Sequence, residues 1–374
     1  MHVQHNSNQP LARAKSNLGM KVLITGISGF VGSTLALELK RSVEDVDVIG
    51  VDNLSRPGSE INRPMLKKNG IRFLHGDLRN PSDLENLPKV DWVIEAAANP
   101  SVLAGVSATA SSRQLMEHNL FGTVNALEYC KQHRAGMILL STSRVYSLAA
   151  LSELPMESKN DAFVPRFSDI KERGISPAGV AEEFSTQPPL SLYGSAKLAS
   201  EVVALDYGGA FNFPVHINRC GVLAGAGQFG KADQGIFSFW LHSWRAKRPL
   251  KYIGFGGNGF QLRDCLHPRD LCALLVRQMN APEKSGAVLN VSGGAESGIS
   301  LAKLSQWCEQ RFGPHTVGAD ATNRQFDIPW LVLDSNRARR EWNWKPNLNL
   351  EMILTEIADH AEKNPNWLDL SNAS

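Results

Sequence analysis

The fold is decided by Lys21–Gly32, which reads KVLITGISGFVG. A short run rich in β-branched residues, Lys21 to Thr25, stops at a glycine cluster, and from Phe30 to Lys40 the residues Val31, Leu35 and Leu39 recur at helical spacing. The stretch therefore reads as strand, tight turn and helix. Gly26, Gly29 and Gly32 give the turn the spacing GxxGxxG. The first glycine permits a sharp turn, the second lets backbone approach a pyrophosphate, and the third lets the helix pack close to its strand. With Ser28, Phe30 and Val31 in the same turn, the helix start offers free amides and the positive end of its dipole to phosphates.

Three glycines alone are a weak signal, because such turns often serve packing only. An acid twenty positions past Gly32 strengthens it: Asp52 closes a second strand, VIGVD, where a carboxylate can accept the hydroxyls of an adenosine ribose. That favours NAD over NADP, whose 2′-phosphate the acid would repel. Asp52 can also be read as a turn residue before Asn53. Arg56, four residues on, is the complication, since its guanidinium suits a 2′-phosphate. Asp77 and Leu78 follow the third strand and are placed to meet an adenine edge, although Asp77 can equally cap the helix after Pro81.

Outward from this unit the alternation repeats. Strands are expected at Val46–Val51, Ile71–His75, Val90–Ala97, Met137–Thr142 and Pro214–Arg219, with helices at Gln114–Gln132 and Tyr193–Tyr207. Strands separated by helices demand parallel pairing with right-handed crossovers, hence an α/β fold with a doubly wound parallel Rossmann sheet. Residues 1–19 read as a flexible tail, with Met20 a candidate alternative start, and 20–219 as the dinucleotide-binding domain with a long insert at 147–190. A loop that long inside a compact core is usually functional. Residues 220–374 read mainly as a smaller mixed α/β substrate lobe, with 264–292 returning to the Rossmann domain and the last ten or so residues frayed.

Composition narrows the function classes. With 39 Lys+Arg against 37 Asp+Glu the 374-residue chain carries a formal charge of +2, which argues against a nucleic-acid-coating protein. No apolar run reaches the roughly 18 residues of a membrane helix, and residues 1–19 lack the apolar core of a secretory signal. Five cysteines, odd in number and without CxxC spacing, encode neither a disulfide framework nor a metal site. A cytoplasmic, reducing setting is expected, with no membrane, nucleic-acid or metal partner.

Tyr193 and Lys197 stand one helical turn apart in YGSAK, so both project from one face. A tyrosine of ordinary pKa near ~10 is a poor base at neutral pH, but a nearby lysine cation stabilises its phenolate. Thr142 ends the strand MILLST at the sheet edge where doubly wound folds bind ligands, and its hydroxyl can share a substrate oxygen with Tyr193. Alternatively Thr142 caps the strand and Ser141 or Ser143 carries the chemistry. Tyr146 reads as structural.

Together, TGxxGxxG, Thr142 and Tyr193-x-x-x-Lys197 resemble the extended short-chain dehydrogenase/reductases that act on nucleotide-diphosphate sugars, from about Lys21 to about Pro346. NxxGTxN at Asn119–Asn125, RDCLHPRD at Arg263–Asp270 and RxxD at Arg324–Asp327 match as well. Within that family DNLSRPGSEIN (Asp52–Asn62), the long insert and ADQGIFSFW (Ala232–Trp240) are most similar to the CDP-paratose 2-epimerase (CDP-tyvelose epimerase) subgroup. The resemblance implies bound NAD, with Asn53, Ser55 and Ala97 joining the cofactor site. It also implies a nucleotide-diphosphate sugar substrate and a homodimer built on helices at Ala110–Gln132 and Leu192–Ala210.

In the implied mechanism Tyr193 takes a proton from the sugar 2-hydroxyl, carbon 2 is oxidised, and hydride returns to the opposite face. Thr142 orients the reacting oxygen, while Lys197 holds the nicotinamide ribose and lowers the tyrosine pKa. Arg263 and Arg324 become diphosphate clamps, the alternative for each being a surface salt bridge. Asn218, Arg219 and the stretch Gln228–Gln234 are expected to line the sugar channel. Ser143 and Arg144 stand where related dehydratases carry an Asp-Glu pair, which removes the proton carriers for water loss. Two further departures, Glu95-Ala96-Ala97 for the common His-Leu-Ala and Ser147 for a glycine, are expected to lie off the proton and hydride path. The rivals are an NDP-hexose 4-epimerase and a non-catalytic NAD sensor.

Overall fold

A computed structural model of the chain describes residues 19–106 and 111–371. Apart from Gly19, the stretch read as a tail lies outside the described residues. Seven parallel strands form the central sheet: β1 (Lys21–Thr25), β2 (Asp47–Asp52), β3 (Arg72–His75), β4 (Trp92–Glu95), β5 (Gly136–Thr142), β6 (Val215–Cys220) and β7 (Val288–Val291). Their spatial order is β7-β6-β5-β4-β1-β2-β3. The chain winds outward from β1 to β3 and then resumes on the other side at β4, so β1 has partners from both halves, Leu23 lying opposite both Ile49 and Val93. Where the winding reverses, the strand ends part and leave a crevice, the usual ligand site of open α/β sheets.

Alternation along each strand sends successive side chains to opposite faces. Val22, Ile24, Ile94 and Ile138 pack with Leu35 and Leu39 of α1 (Phe30–Ser42) and with Leu271 and Leu275 of the helix Pro268–Met279. Leu23, Ile49, Val93 and Leu139 pack on the other face with Leu127 of the helix Gly122–His133 and Ala204 of the helix Leu192–Phe211. Covering both faces makes the strands nearly continuous apolar runs.

Three regions differ from the sequence reading. The helix expected at Gln114–Gln132 is interrupted by a π-turn at Glu117–Phe121 between Ser112–Met116 and Gly122–His133. The turn frees the Asn119 carbonyl, which accepts the Thr123 hydroxyl at 3.0 Å and the Ser200 hydroxyl at 2.9 Å. The insert is ordered rather than a plain loop. Ser147 caps a short helix, Leu148–Ser152, and Met156–Lys159 pairs antiparallel with Ala162–Pro165 around Asn160 and Asp161, both at positive φ as a tight hairpin requires. The chain end is not frayed as far as Ser371. Trp367 donates its indole N–H to the Gln228 carbonyl at 2.9 Å, and the Ser371 hydroxyl donates to the Gly230 carbonyl at 3.1 Å.

After β6 the helices Ile236–Arg245, Leu301–Phe312 and Leu350–Lys363 bury Phe237, Trp240, Leu304, Ile353 and Ile357 in a core of their own. A second small sheet joins Val222–Leu223, Leu262–Leu266, Gly298–Ser300 and Trp330–Leu331. All five cysteines are free and buried.

Candidate active site

Between the strand ends of the seven-stranded sheet and the later helices lies a cavity of about 730 Å³, lined from Gly26 on one wall to Arg324 on the other. Its first wall is the glycine turn. Gly26 holds φ +66°, and a Cβ there would stand 2.8 Å from the Ala97 Cα. A Cβ on Gly32 would stand 2.2 Å from the Gly26 carbonyl oxygen, so the helix fits against its own strand only without a side chain. Gly29 is different: its only close neighbour would be that same oxygen at 3.3 Å, which leaves it open toward the cavity. It caps α1 without a side-chain bond and no acid sits in the first turn, so the amides behind it remain for an anion. These features fit the pyrophosphate of a dinucleotide.

Asp52 serves the turn and the cavity together. Its carboxylate accepts the Ser28 amide at 2.9 Å and the Leu54 amide at 2.8 Å. Burial raises its pKa, while those backbone donors pull it back. Asp52 is thus a turn residue that also lines the cavity. Ser28 itself is fully buried and contributes an amide to Asp52 rather than a group to the cavity wall. Phe30, Val31, Asn53, Ser55, Leu78 and Ala97 all line the cavity, and the Ala97 amide donates to the Thr25 hydroxyl at 3.2 Å. Asp77 lines it as well, held by the Arg79 guanidinium and by Asn53 at 3.0 Å. The Arg79 bond keeps its carboxyl well below the usual carboxylate range. Asn80, not Asp77, holds the N-cap position of the helix after it, without a side-chain capping bond.

Arg56 does not wait for a 2′-phosphate. It reaches across the cleft, donating to Gln234 Oε1 at 2.6 Å and to the Phe229 carbonyl. Its cation therefore ties the cofactor wall to the opposite wall.

Tyr193, 8 % exposed, enters the cavity from the first turn of its helix, which Ser191 caps, and Thr142 lines the same cavity. The Thr142 hydroxyl accepts the Arg144 amide at 3.2 Å. Ser141 points elsewhere and donates to Glu201; Ser143 lines the cavity. Burial pushes the phenol up to about 12, against Thr142 and the Arg144 cation, which act downward. Lys197 is 1 % exposed, and its ammonium stands 3.6 Å from Glu95 Oε1. Glu95, expected to lie off the reaction path, is therefore the ion partner of the helix-turn lysine. No local motif could have shown this, because 102 positions separate them.

The far wall holds the remaining groups. Gln228, Gln234, Arg263 and Arg324 line the cavity. Arg263 pairs with Asp327 at 2.9 Å and donates to the Ile328 carbonyl at 2.6 Å, while Arg324 donates to the Ala232 carbonyl at 3.3 Å. Arg144 lines the cavity near Tyr193 and donates to the Phe326 carbonyl at 3.3 Å; burial and the like charge of Arg263 lower its pKa to about 10. Asn218 and Arg219 are corrections, since neither lines the cavity. Both sit on β6 between β5 and β7, where no face is open. Asn218 exchanges two amide bonds with Gln278, and Arg219 forms a buried ion pair with Glu201 at 2.7 Å. Arg219 also donates to Tyr146, which bonds Asn290 at 2.7 Å. Leu250 and Lys251, on the strand Leu250–Ile253, and Gln261, just before the strand Leu262–Leu266, add to the wall unforeseen, because none of them belongs to a motif.

The chain is similar to known proteins over nearly its whole length. The CDP-paratose 2-epimerase of Salmonella typhi is 28% identical over 355 residues, covering 91% of this chain and 98% of the relative. The UDP-glucuronate 4-epimerase of Thermodesulfobacterium geofontis is 23% identical, covering 91% and 96%. Among solved structures, UDP-glucuronic acid 4-epimerase from Bacillus cereus, in complex with UDP-glucuronic acid and NAD, superposes with a TM-score of 0.72 at 23% identity, over 92% of this chain and 99% of that one. The family model described as the NAD dependent epimerase/dehydratase family matches residues 22–292, which contain the glycine turn, Asp52, Thr142 and the Tyr193–Lys197 pair, and the chain belongs to that family.

Proposed function

We propose that the protein inverts carbon 2 of a CDP-hexose. The observation that carries this reading is the placing of Tyr193 and Thr142 together in one cavity, between the glycine turn and the arginines Arg263 and Arg324. Bound NAD supplies a reversible hydride acceptor at this site. Tyr193 is the group that moves the proton of the sugar hydroxyl, and Thr142 orients the oxygen. Arg263 and Arg324 are assigned to the diphosphate, so that the nucleotide stays anchored while the sugar presents each face in turn. No carboxylate follows Thr142 in the chain, where Ser143 and Arg144 stand, which favours epimerisation over water loss. The choice of carbon 2 and of cytidine rests on the subgroup motifs and on the Salmonella relative.

One observation favours a second reading. The Arg144 guanidinium close to Tyr193 suits a sugar that bears a carboxylate, as in a 4-epimerase acting on a hexuronate. Incubating the NAD-loaded protein with CDP-, UDP-, GDP- and dTDP-hexoses and with UDP-glucuronate, followed by product analysis, separates the two. A CDP-sugar inverted at carbon 2 supports the first reading. Conversion of UDP-glucuronate alone supports the second.

Two further assignments belong to the same reading. Residues 20–219 form the cofactor-binding domain and 220–374 mainly the substrate lobe, with 264–292 returning to the sheet. A homodimer would use the helices Gly122–His133 and Leu192–Phe211 together with the turn before them, on which Phe121, Val202 and Phe211 are 52, 55 and 43 % exposed.

A further inference from the structure

We infer that Glu95 is a positioning residue for the reaction centre: its carboxylate holds the Lys197 ammonium and sets how much of that charge reaches Tyr193. The inference rests on the reading of Tyr193 as the proton carrier of an epimerase. Glu95 ends β4, beside β1 at the point where the sheet reverses its winding. Its Oε1 lies 3.6 Å from Lys197 Nζ and 2.7 Å from the Thr123 hydroxyl, and both charged side chains are 2 % exposed. Its Oε2 is buried with no partner. A carboxylate kept for stability alone would be expected to fill both oxygens, because a buried acceptor left empty is costly.

The charges that face this group come from several elements. Lys197 meets Glu95 from β4 and Cys220 from β6; Glu95 meets Cys130 from the helix Gly122–His133; Tyr193 meets Cys220 from β6 and Arg144 from the turn after β5. Burial pushes both thiols up, so they stay neutral at working pH. Lys197, Glu95 and Arg144 are thus the charges that act here. With Glu95 ionised, the lysine belongs to a neutral pair and its field at the phenol is largely cancelled. With Glu95 neutral, the ammonium acts unopposed and favours the phenolate. Burial raises the Glu95 pKa, against the Lys197 charge and the Thr123 hydroxyl, which act downward. An epimerase uses one tyrosine to take a proton and to return it, so a phenol made too acidic would slow the return. Glu95 is the counterweight.

The test follows the tyrosine itself. NAD-loaded protein is prepared with 3-fluorotyrosine in place of its five tyrosines, and the fluorine resonance lost in Tyr193→Phe is followed against pH. Glu95→Gln is expected to lower its midpoint by about one pH unit. Thr123→Val, which strips the hydroxyl from Oε1 and favours the neutral carboxyl, is expected to lower it by less. In a Lys197→Met background Glu95→Gln should add no shift. An unchanged midpoint in Glu95→Gln, or in Thr123→Val should the first variant not fold, overturns the inference, as does a shift that persists without Lys197. Because no substrate enters the readout, its failure is separate from failure of the epimerase reading, which product analysis decides.

Discussion

The two walls of the cavity are built by opposite means. The Gly26–Gly32 wall is held mainly by backbone: a Cβ on Gly32 would meet the Gly26 carbonyl, six residues away, the Asp52 carboxylate takes the Ser28 amide, and the anion site is made of backbone amides. The Gln228–Gln234 wall is held from elsewhere. Arg56 reaches Gln234 and Phe229, Trp367 reaches Gln228, Ser371 reaches Gly230 and Arg324 reaches Ala232. One wall is mainly a local solution to backbone sterics, and the other is a meeting of side chains from three remote segments. The first suits the NAD on which the family depends, whereas the second is free to vary with the substrate.

Substitutions can break or sharpen this contrast. The largest effect is expected where the walls meet: Tyr193→Phe should reduce turnover by about 10²–10⁴-fold while NAD still copurifies, measured by product formation and by cofactor released on denaturation. Arg219→Met comes next. Leaving Glu201 as an unpaired buried carboxylate should cost about 3–5 kcal/mol in denaturant unfolding, with KM unchanged if the arginine has no place in the cavity. Gly32→Ala should cost about 1–3 kcal/mol and yield protein depleted of NAD, because the new Cβ meets backbone that cannot give. The smallest change is expected from Arg324→Ala, on the remote-held wall. It should raise KM about tenfold, the loss of one charge-assisted bond, and leave the thermal midpoint in place. Should Arg324→Ala unfold the protein while Gly32→Ala does not, the assignment of local and remote support would be reversed.

The same contrast explains what could be read in the sequence. β1, the glycine turn and α1 were legible because strand, turn and helix signals lie side by side and each acts on its neighbours. Tyr193 and Thr142 were legible as residue types at strand and helix ends, and the structure brings both to one cavity. Lys197 was legible as a neighbour of Tyr193 but not as the partner of Glu95, since that contact depends on how β4 and the helix Leu192–Phe211 pack. Asn218 and Arg219 misled for a related reason. A strand end looks open in sequence, but β7, contributed by residues 288–291, closes over it and Glu201 claims the guanidinium. The π-turn at Glu117–Phe121 leaves no signal in periodicity, because one extra residue per turn is absorbed within the helix.

Hydride leaving and returning to one carbon is the central claim, and an isotope measures it directly. A CDP-hexose carrying deuterium at carbon 2 is incubated in ordinary water with the NAD-loaded protein, and the product is examined by mass and by NMR. The account predicts an inverted carbon 2 that keeps its deuterium, with no net reduced cofactor. Loss of the deuterium to solvent during inversion would contradict it.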